Sequence, residues 1–306
     1  MFVRPIRNKK KVDHWQLFLL TLPGMLVLFV FSYLPMAGII LPFKNYRYDL
    51  GIFKSPWVGW MNFKFLFSTD NAIRITRNVL VMNSLFIITV TLTAIVFALV
   101  LNELSKKFVK LYQTVLFVPY FISWVVASYI VFALLDMDYG FFNNILVTVG
   151  ADPITWYNEP QYWPVILTIA NLWKGAGYTT VIYYAGLMGI DREFYEAARI
   201  DGASKMQQIR HISVPLITPL ILMIFILSIG KIFFGNFDLF YNVTRDSPML
   251  YSTTDVIDTF VYRSLKTSGD IGMASAAGLY QSVVGFVIVL SANFIVKRIN
   301  PDNSIF

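Results

Sequence analysis

The sequence predicts an all-α membrane protein with about six transmembrane helices, and three observations carry that expectation. Of 306 residues, 57% are hydrophobic and only 14% are charged, whereas a soluble domain carries about 25% charged residues. The apolar residues gather into runs of roughly 20, the length that crosses a bilayer as a helix. Lysine and arginine fall mainly in the intervals between those runs, so the net charge of +7 reads as basic loops at an anionic membrane face. The absence of cysteine excludes disulfides, thiol catalysis, thiolate zinc sites and iron–sulfur clusters. His14 and His211 are far apart in sequence and do not suggest a metal site.

Residues 1–14 form a tail holding Arg4, Arg7, Lys9, Lys10 and Lys11. The first helix is expected over Trp15–Leu41. It is too long for a signal peptide and lacks a small-residue cleavage site, and Pro23 and Pro35 should bend it or mark its ends. A loop from Pro42 to Asn78 follows, whose aromatics within 55–63 suit a membrane interface. Helix two is expected over Val79–Leu101 and helix three over Gln113–Leu135, joined by a basic connection at 102–112. An acidic outer segment at 136–161 leads to helix four, Tyr162–Leu187. Helix five is expected over Pro215–Gly235, a long polar segment over 236–273, and helix six over Ala274–Val296. Lys297 and Arg298 stop it before a tail at 299–306. No internal repeat and no low-complexity linker divides the chain, so 15–298 reads as one membrane domain.

Orientation follows from the basic residues. With the N-terminus inside, the cytoplasmic segments hold 5, 3, 4 and 2 of them, and the much longer outer segments hold 6, 0 and 3. Per residue the bias places both termini in the cytoplasm. The interval at 190–215 then lies on the cytoplasmic side.

That interval is the longest charged, helix-like stretch between two apolar spans. Ile190, Phe194, Ala197 and Ala198 share one helical face by spacing. Asp191 can cap the helix start, and Gly202 suits the turn that ends it. Ser204 with Gln207 three residues on predicts a capping box for a second short helix. Pro215 fits the first turn of the next apolar helix.

The pattern Glu196-Ala197-Ala198, Gly202, Ile212 and Val214-Pro215 resembles the EAA loop of ABC importer permeases of the binding-protein-dependent type, the type I or maltose-importer-like family. Val214 departs mildly from the commoner leucine. Further stretches are similar to a subgroup importing oligosaccharides and polysaccharide fragments, including alginate and rhamnogalacturonan-type systems. They are Leu22-Pro23-Gly24, 98–103, 119–126, 255–262 and Ala277-Gly278-Leu279. The resemblance implies the type I importer permease fold in a bacterial inner membrane, with 190–215 as a coupling helix that docks on a cytoplasmic ATPase. It implies five companions: a second permease, commonly non-identical, two ATPase subunits, an extracytoplasmic solute-binding protein and an oligosaccharide. No Gly-x-x-x-x-Gly-Lys-(Ser/Thr) sequence is present, so this chain is expected to hold no cofactor, with ATP and Mg on the partner ATPase.

Under that reading Glu196, Ala197, Ala198, Asp201 and Gly202 are the ATPase-coupling residues. Glu196 is expected to meet a basic residue of the ATPase, and Asp201 either caps the helix locally or touches the ATPase. Lys174, Trp173, Asn171, Asn236 and Asp238 are candidates for the substrate pathway. About twelve residues at 1.5 Å place Lys174 roughly 18 Å down helix four, near mid-membrane. There it either bonds carbonyls at the interface between the two permeases or faces the cavity and attracts an acidic sugar. Tryptophans and tyrosines of helices three and four either stack on sugar rings or anchor and pack the helices. Asn236 and Asp238, at the outer end of helix five, touch sugar, the binding protein or water. Two other classes fit less well. An ion-coupled secondary transporter needs carboxylates deep in a span, and a membrane enzyme needs a catalytic constellation; neither is present in the predicted spans.

Overall fold

The structure, a computed structural model, describes residues 14–68 and 70–299. The tails expected at 1–14 and 299–306 therefore lie almost wholly outside the described residues. Secondary structure among the described residues is helical apart from one isolated bridge between Lys44 and Trp57. Four helices are long and apolar enough to cross a membrane: Leu17–Phe43, Asn71–Glu103, Lys205–Ile229 and Ile271–Phe294. A fifth candidate is a bent pair, Lys106–Phe121 with Trp124–Leu135, which meet at 98°. The helix Trp163–Met188 has 26 residues, about 39 Å at 1.5 Å per residue. It is long enough to cross, but Asn171 and Lys174 interrupt its apolar run. The expected count of about six is thus four, or five with the bent pair, by length and composition.

Several expectations need correction. Helix three is not one straight span. Its α-helical hydrogen bonding gives way to a tight turn over Val118–Phe121, because Pro119 has no N–H to donate. The chain restarts at Ser123, whose Oγ accepts from the N–H of Val126 at 3.3 Å. Helix two begins at Asn71 rather than near Val79 and runs for 33 residues, so the loop before it is shorter and itself holds short helices at Gly51–Lys54 and Met61–Phe67. The segment 236–273 is not a polar loop. Leu239, Phe240, Val243, Leu250, Val256 and Ile257 are fully buried or nearly so, and they form one core with Trp163, Ile75, Val79 and Phe233. Its polar residues misled the pattern because they pair with one another and with Arg74 inside the fold. Asp255 is buried and receives Arg74 at 3.0 Å together with Arg263. Arg263 also pairs with Asp246 at 2.7 Å.

Helix five ends at Ile229, earlier than Gly235, and Asn83 Nδ2 caps the freed carbonyls of Ile232 and Phe234 at 2.7 and 3.0 Å. The Asn71 and Trp163 helices pack most extensively of all pairs. A small second cluster beneath them joins Ala94, Ala98, Tyr183, Leu187 and Ile217. By contrast, no residue of the apolar window of Leu17–Phe43 is buried within the chain.

Candidate functional site: a charged, capped helix and a cavity beside Arg245

The charged interval folds locally as its sequence dictates. Asp191 accepts from the N–H of Glu193 at 3.1 Å and opens a helix over Arg192–Ile200. Asp201 is its last, capping position, and Gly202 follows at φ +79°, a backbone region that L side chains resist. Ser204 and Gln207 form the reciprocal capping box. The second short helix is not separate from the next span, however. Residues 205–229 run as one helix through a π-type turn at Ile209–Ser213, which precedes the N–H-less Pro215. Such wide turns absorb a proline without ending a helix.

The helix is held through Tyr195 and is otherwise largely bare, with only Tyr195 and Ala198 half-buried. Tyr195 Oη lies 3.0 Å from Ser213 Oγ. Lys205 Nζ binds Glu103 Oε2 at 2.6 Å, tying the loop to the end of the Asn71 helix. Ile190 precedes the helix and packs on the small inner cluster, so it does not share the helical face expected for it. Phe194, Ile200 and Met206 are 56%, 87% and 71% exposed. Glu196 and Ala197 are exposed and Ala198 is half-buried. A cleft of about 740 Å³ opens beside them, lined by Glu103, Lys106, Lys110, Arg192, Glu196 and Arg199 among others.

Lys174 sits elsewhere and is engaged. Its Nζ donates to the carbonyls of Tyr120 at 2.7 Å and Ile122 at 2.5 Å, and lies 5.5 Å from the ring centres of Tyr120 and Trp124. Those carbonyls are the ones that the break at Pro119 leaves without helical partners. Lys174 bonds carbonyls of its own chain, whereas the expected carbonyls lay at the interface between two permeases. Gly177, three residues on, lets the Trp163 helix approach the Lys106 helix, since a Cβ there would collide with the Leu116 carbonyl. Trp173 is exposed and Asn171 half-buried on the same helix.

Asn236 and Asp238 lie past the end of helix five, both exposed. Asn236 Oδ1 accepts from the N–H of Leu239 at 3.2 Å. The Asp238 carbonyl accepts from Asn242 Nδ2 at 2.8 Å. Beyond them lies a residue that sequence reading passed over. Arg245 has φ +56° and lines two adjoining cavities of about 210 and 420 Å³ between the Trp124 helix and the 239–247 segment. Its guanidinium lies 4.3 Å from the centre of Phe132. The run Thr244-Arg245-Asp246-Ser247-Pro248 signals a turn, and that was the only local clue. Tyr157 borders the larger cavity. Burial pushes its phenol up to about 12 despite the pull of Arg245, so it stays a neutral donor, to the Val243 carbonyl at 3.3 Å.

Residues 90–301 match the family described as binding-protein-dependent transport system inner membrane component. Protein LplB of Bacillus subtilis (strain 168) is 34% identical over 293 residues, covering 95% of this chain and 91% of that one. The polygalacturonan/rhamnogalacturonan transport system permease protein YteP of the same organism is 32% identical, covering 96% and 91%. A solved bacterial ABC transporter involved in import of the acidic polysaccharide alginate contains a chain that superposes with TM-score 0.85 at 33% identity, covering 94% of this chain and 96% of that one. A second structure, of the bacterial alginate transporter with a periplasmic protein bound to alginate pentasaccharide, gives 0.84 at 32%, covering 93% and 95%. The chain therefore belongs to the family of binding-protein-dependent inner membrane transport components: it is a multi-pass permease subunit of an ABC importer, not a catalytic chain, and ATP is hydrolysed on a separate subunit.

Proposed function

We propose that this permease imports an oligosaccharide or polysaccharide fragment delivered by an extracytoplasmic solute-binding protein. It does so in an assembly with a second, non-identical permease and two cytoplasmic ATPase subunits. The observation that carries the coupling part is the Arg192–Ile200 helix, bonded through Tyr195 to the 205–229 span, which Lys205 ties to the Asn71 helix, while Phe194, Ile200 and, just beyond, Met206 stay bare. Exposed apolar patches bounded by polar residues mark partner surfaces, and an ATPase is the partner that a permease needs there. Glu196, Ala197, Ala198, Asp201 and Gly202 form the docked stretch. Movement of the ATPase is passed through Lys205 to Glu103 and through Tyr195 to Ser213, and so to the bases of two spans. The sugar part rests on the polysaccharide named for YteP and for the alginate transporters.

In this reading the Trp163–Met188 helix is the sixth crossing, and both termini are cytoplasmic. The uncovered first span packs against the second permease. Proteoliposomes holding the permease pair and ATPases, with binding protein on the receiving side, test it. Uptake of a labelled oligosaccharide should require ATP and the binding protein together. Uptake that runs on a proton gradient without ATP would overturn the reading.

A further inference from the structure

Resting on that reading, we infer that the outer face carries a binding site for an anionic oligosaccharide, with Arg245 and Lys266 as its two carboxylate receptors and Tyr241 as the platform between them. The smaller cavity is lined by Ser128, Tyr129, Phe132, Tyr241, Asn242 and Arg245, together with Val125 and Asp246. Its two charged residues are Arg245 and Asp246, and Asp246 is already paired with Arg263 at 2.7 Å. Among the described residues no carboxylate forms an ion pair with Arg245, an exposed residue whose guanidinium lies over the Phe132 ring at 4.3 Å. An arginine seated over an aromatic ring keeps donors available for a carboxylate. Asp136 lines only the neighbouring cavity, and its Oδ1 accepts from the N–H groups of Asp138 and Tyr139 at 3.1 and 2.9 Å.

Tyr241 joins this cavity to a second cation. Its ring stacks on Phe237 at 5.1 Å with planes 14° apart, and meets the Tyr262 ring edge-on at 5.1 Å. Lys266 Nζ lies 5.4 Å from the centre of that Tyr262 ring, and Lys266 is exposed. Aromatic faces offer flat apolar surface for the C–H face of a pyranose ring. Successive uronate units carry one carboxylate each, so a row of rings with a cation at either end fits a chain of acidic sugars rather than a single small anion. Neutral sugars would gain the rings but not the cations.

The test uses the complete transporter in proteoliposomes and two probes: a galacturonate tetramer, and the same tetramer with its carboxyls reduced to primary alcohols. Arg245→Asn is the first variant, because asparagine tolerates the left-handed backbone at this position; Lys266→Gln is the second. ATP-driven uptake of the galacturonate tetramer at subsaturating concentration should fall about tenfold in the double variant, as loss of charge-assisted contacts predicts. Uptake of the reduced tetramer should hold within about twofold. Arg245→Lys with native Lys266 should recover most of the acidic uptake. Equal losses for both probes, or no loss for either, overturn this inference and leave the importer reading standing. Transport by the wild type of the reduced tetramer alone does the same. If the wild type takes up neither probe with ATP and binding protein present, the oligosaccharide reading fails and this inference fails with it.

Discussion

Lys174 shows how a single charge can be held in the helix proposed as the sixth crossing. A lysine there costs at least about 2.5 kcal/mol on insertion scales unless it is partnered. Its partners are two carbonyls orphaned by the turn at Val118–Phe121, so two liabilities offset each other. Lys174→Met leaves the Tyr120 and Ile122 carbonyls without that donor and should cost about 2 kcal/mol of stability, seen as a lower melting temperature in detergent. Uptake of acidic and neutral oligosaccharides should then fall by the same factor; a loss confined to the acidic one would assign Lys174 to the solute. The lysine's place within a long helix was legible from counting residues. Its partners were not, because they lie 54 and 52 residues away in sequence and are created by a helix break that hydrophobicity alone conceals. Asp191, Ser204 and Gln207 were legible for the opposite reason: each cap bonds a backbone group two or three residues away. Arg245 escaped notice because its significance lies in Phe132 and Tyr241, brought beside it by packing.

At the scale of elements, helices set by local rules were readable and their junctions were not. The Arg192–Ile200 helix, the turn at Gly202 and the capping box follow from neighbouring residues. The 98° break between Phe121 and Trp124 and the joining of 205–229 into one helix do not, since a proline can end, kink or simply enter a helix depending on what satisfies the backbone around it. Gly202→Val places a β-branched residue at φ +79°, at a cost of about 1–2 kcal/mol. That is too little to unfold the chain and enough to re-aim the helix. The variant should insert normally but lose capture of the ATPase in pull-down and sugar-stimulated hydrolysis; wild-type levels of both would remove the coupling role from this turn. Gly177→Ala should act at a helix pair instead. The new Cβ meets the Leu116 carbonyl, backbone that cannot swing aside, so overpacking of about 1–3 kcal/mol is expected. A melting temperature equal to wild type would contradict that contact.

For the molecule as a whole, composition disclosed an all-helical membrane protein because lipid demands internally bonded backbone. It did not disclose that residues 236–270 fold back into the core, because the charges there look like a loop until their partners are seen. Asp255 holds that return in place against Arg74 and Arg263. Asp255→Ala leaves both guanidinium groups without their buried partner and should destabilise the protein by about 3 kcal/mol. Thermal unfolding in detergent would show it as a clear drop in midpoint, and an unchanged midpoint would mean that the network is dispensable. The central claim is that this chain receives ATPase movement through the Arg192–Ile200 helix. The chain contains no cysteine, so Ile200→Cys gives a unique thiol on the most exposed apolar residue of that helix. In the assembled transporter, a short thiol-specific cross-linker carrying a photoreactive second arm should join this position to the ATPase subunit in high yield and arrest sugar-stimulated hydrolysis. A thiol that stays freely reactive to solvent in the full complex, with no ATPase adduct, would contradict the account.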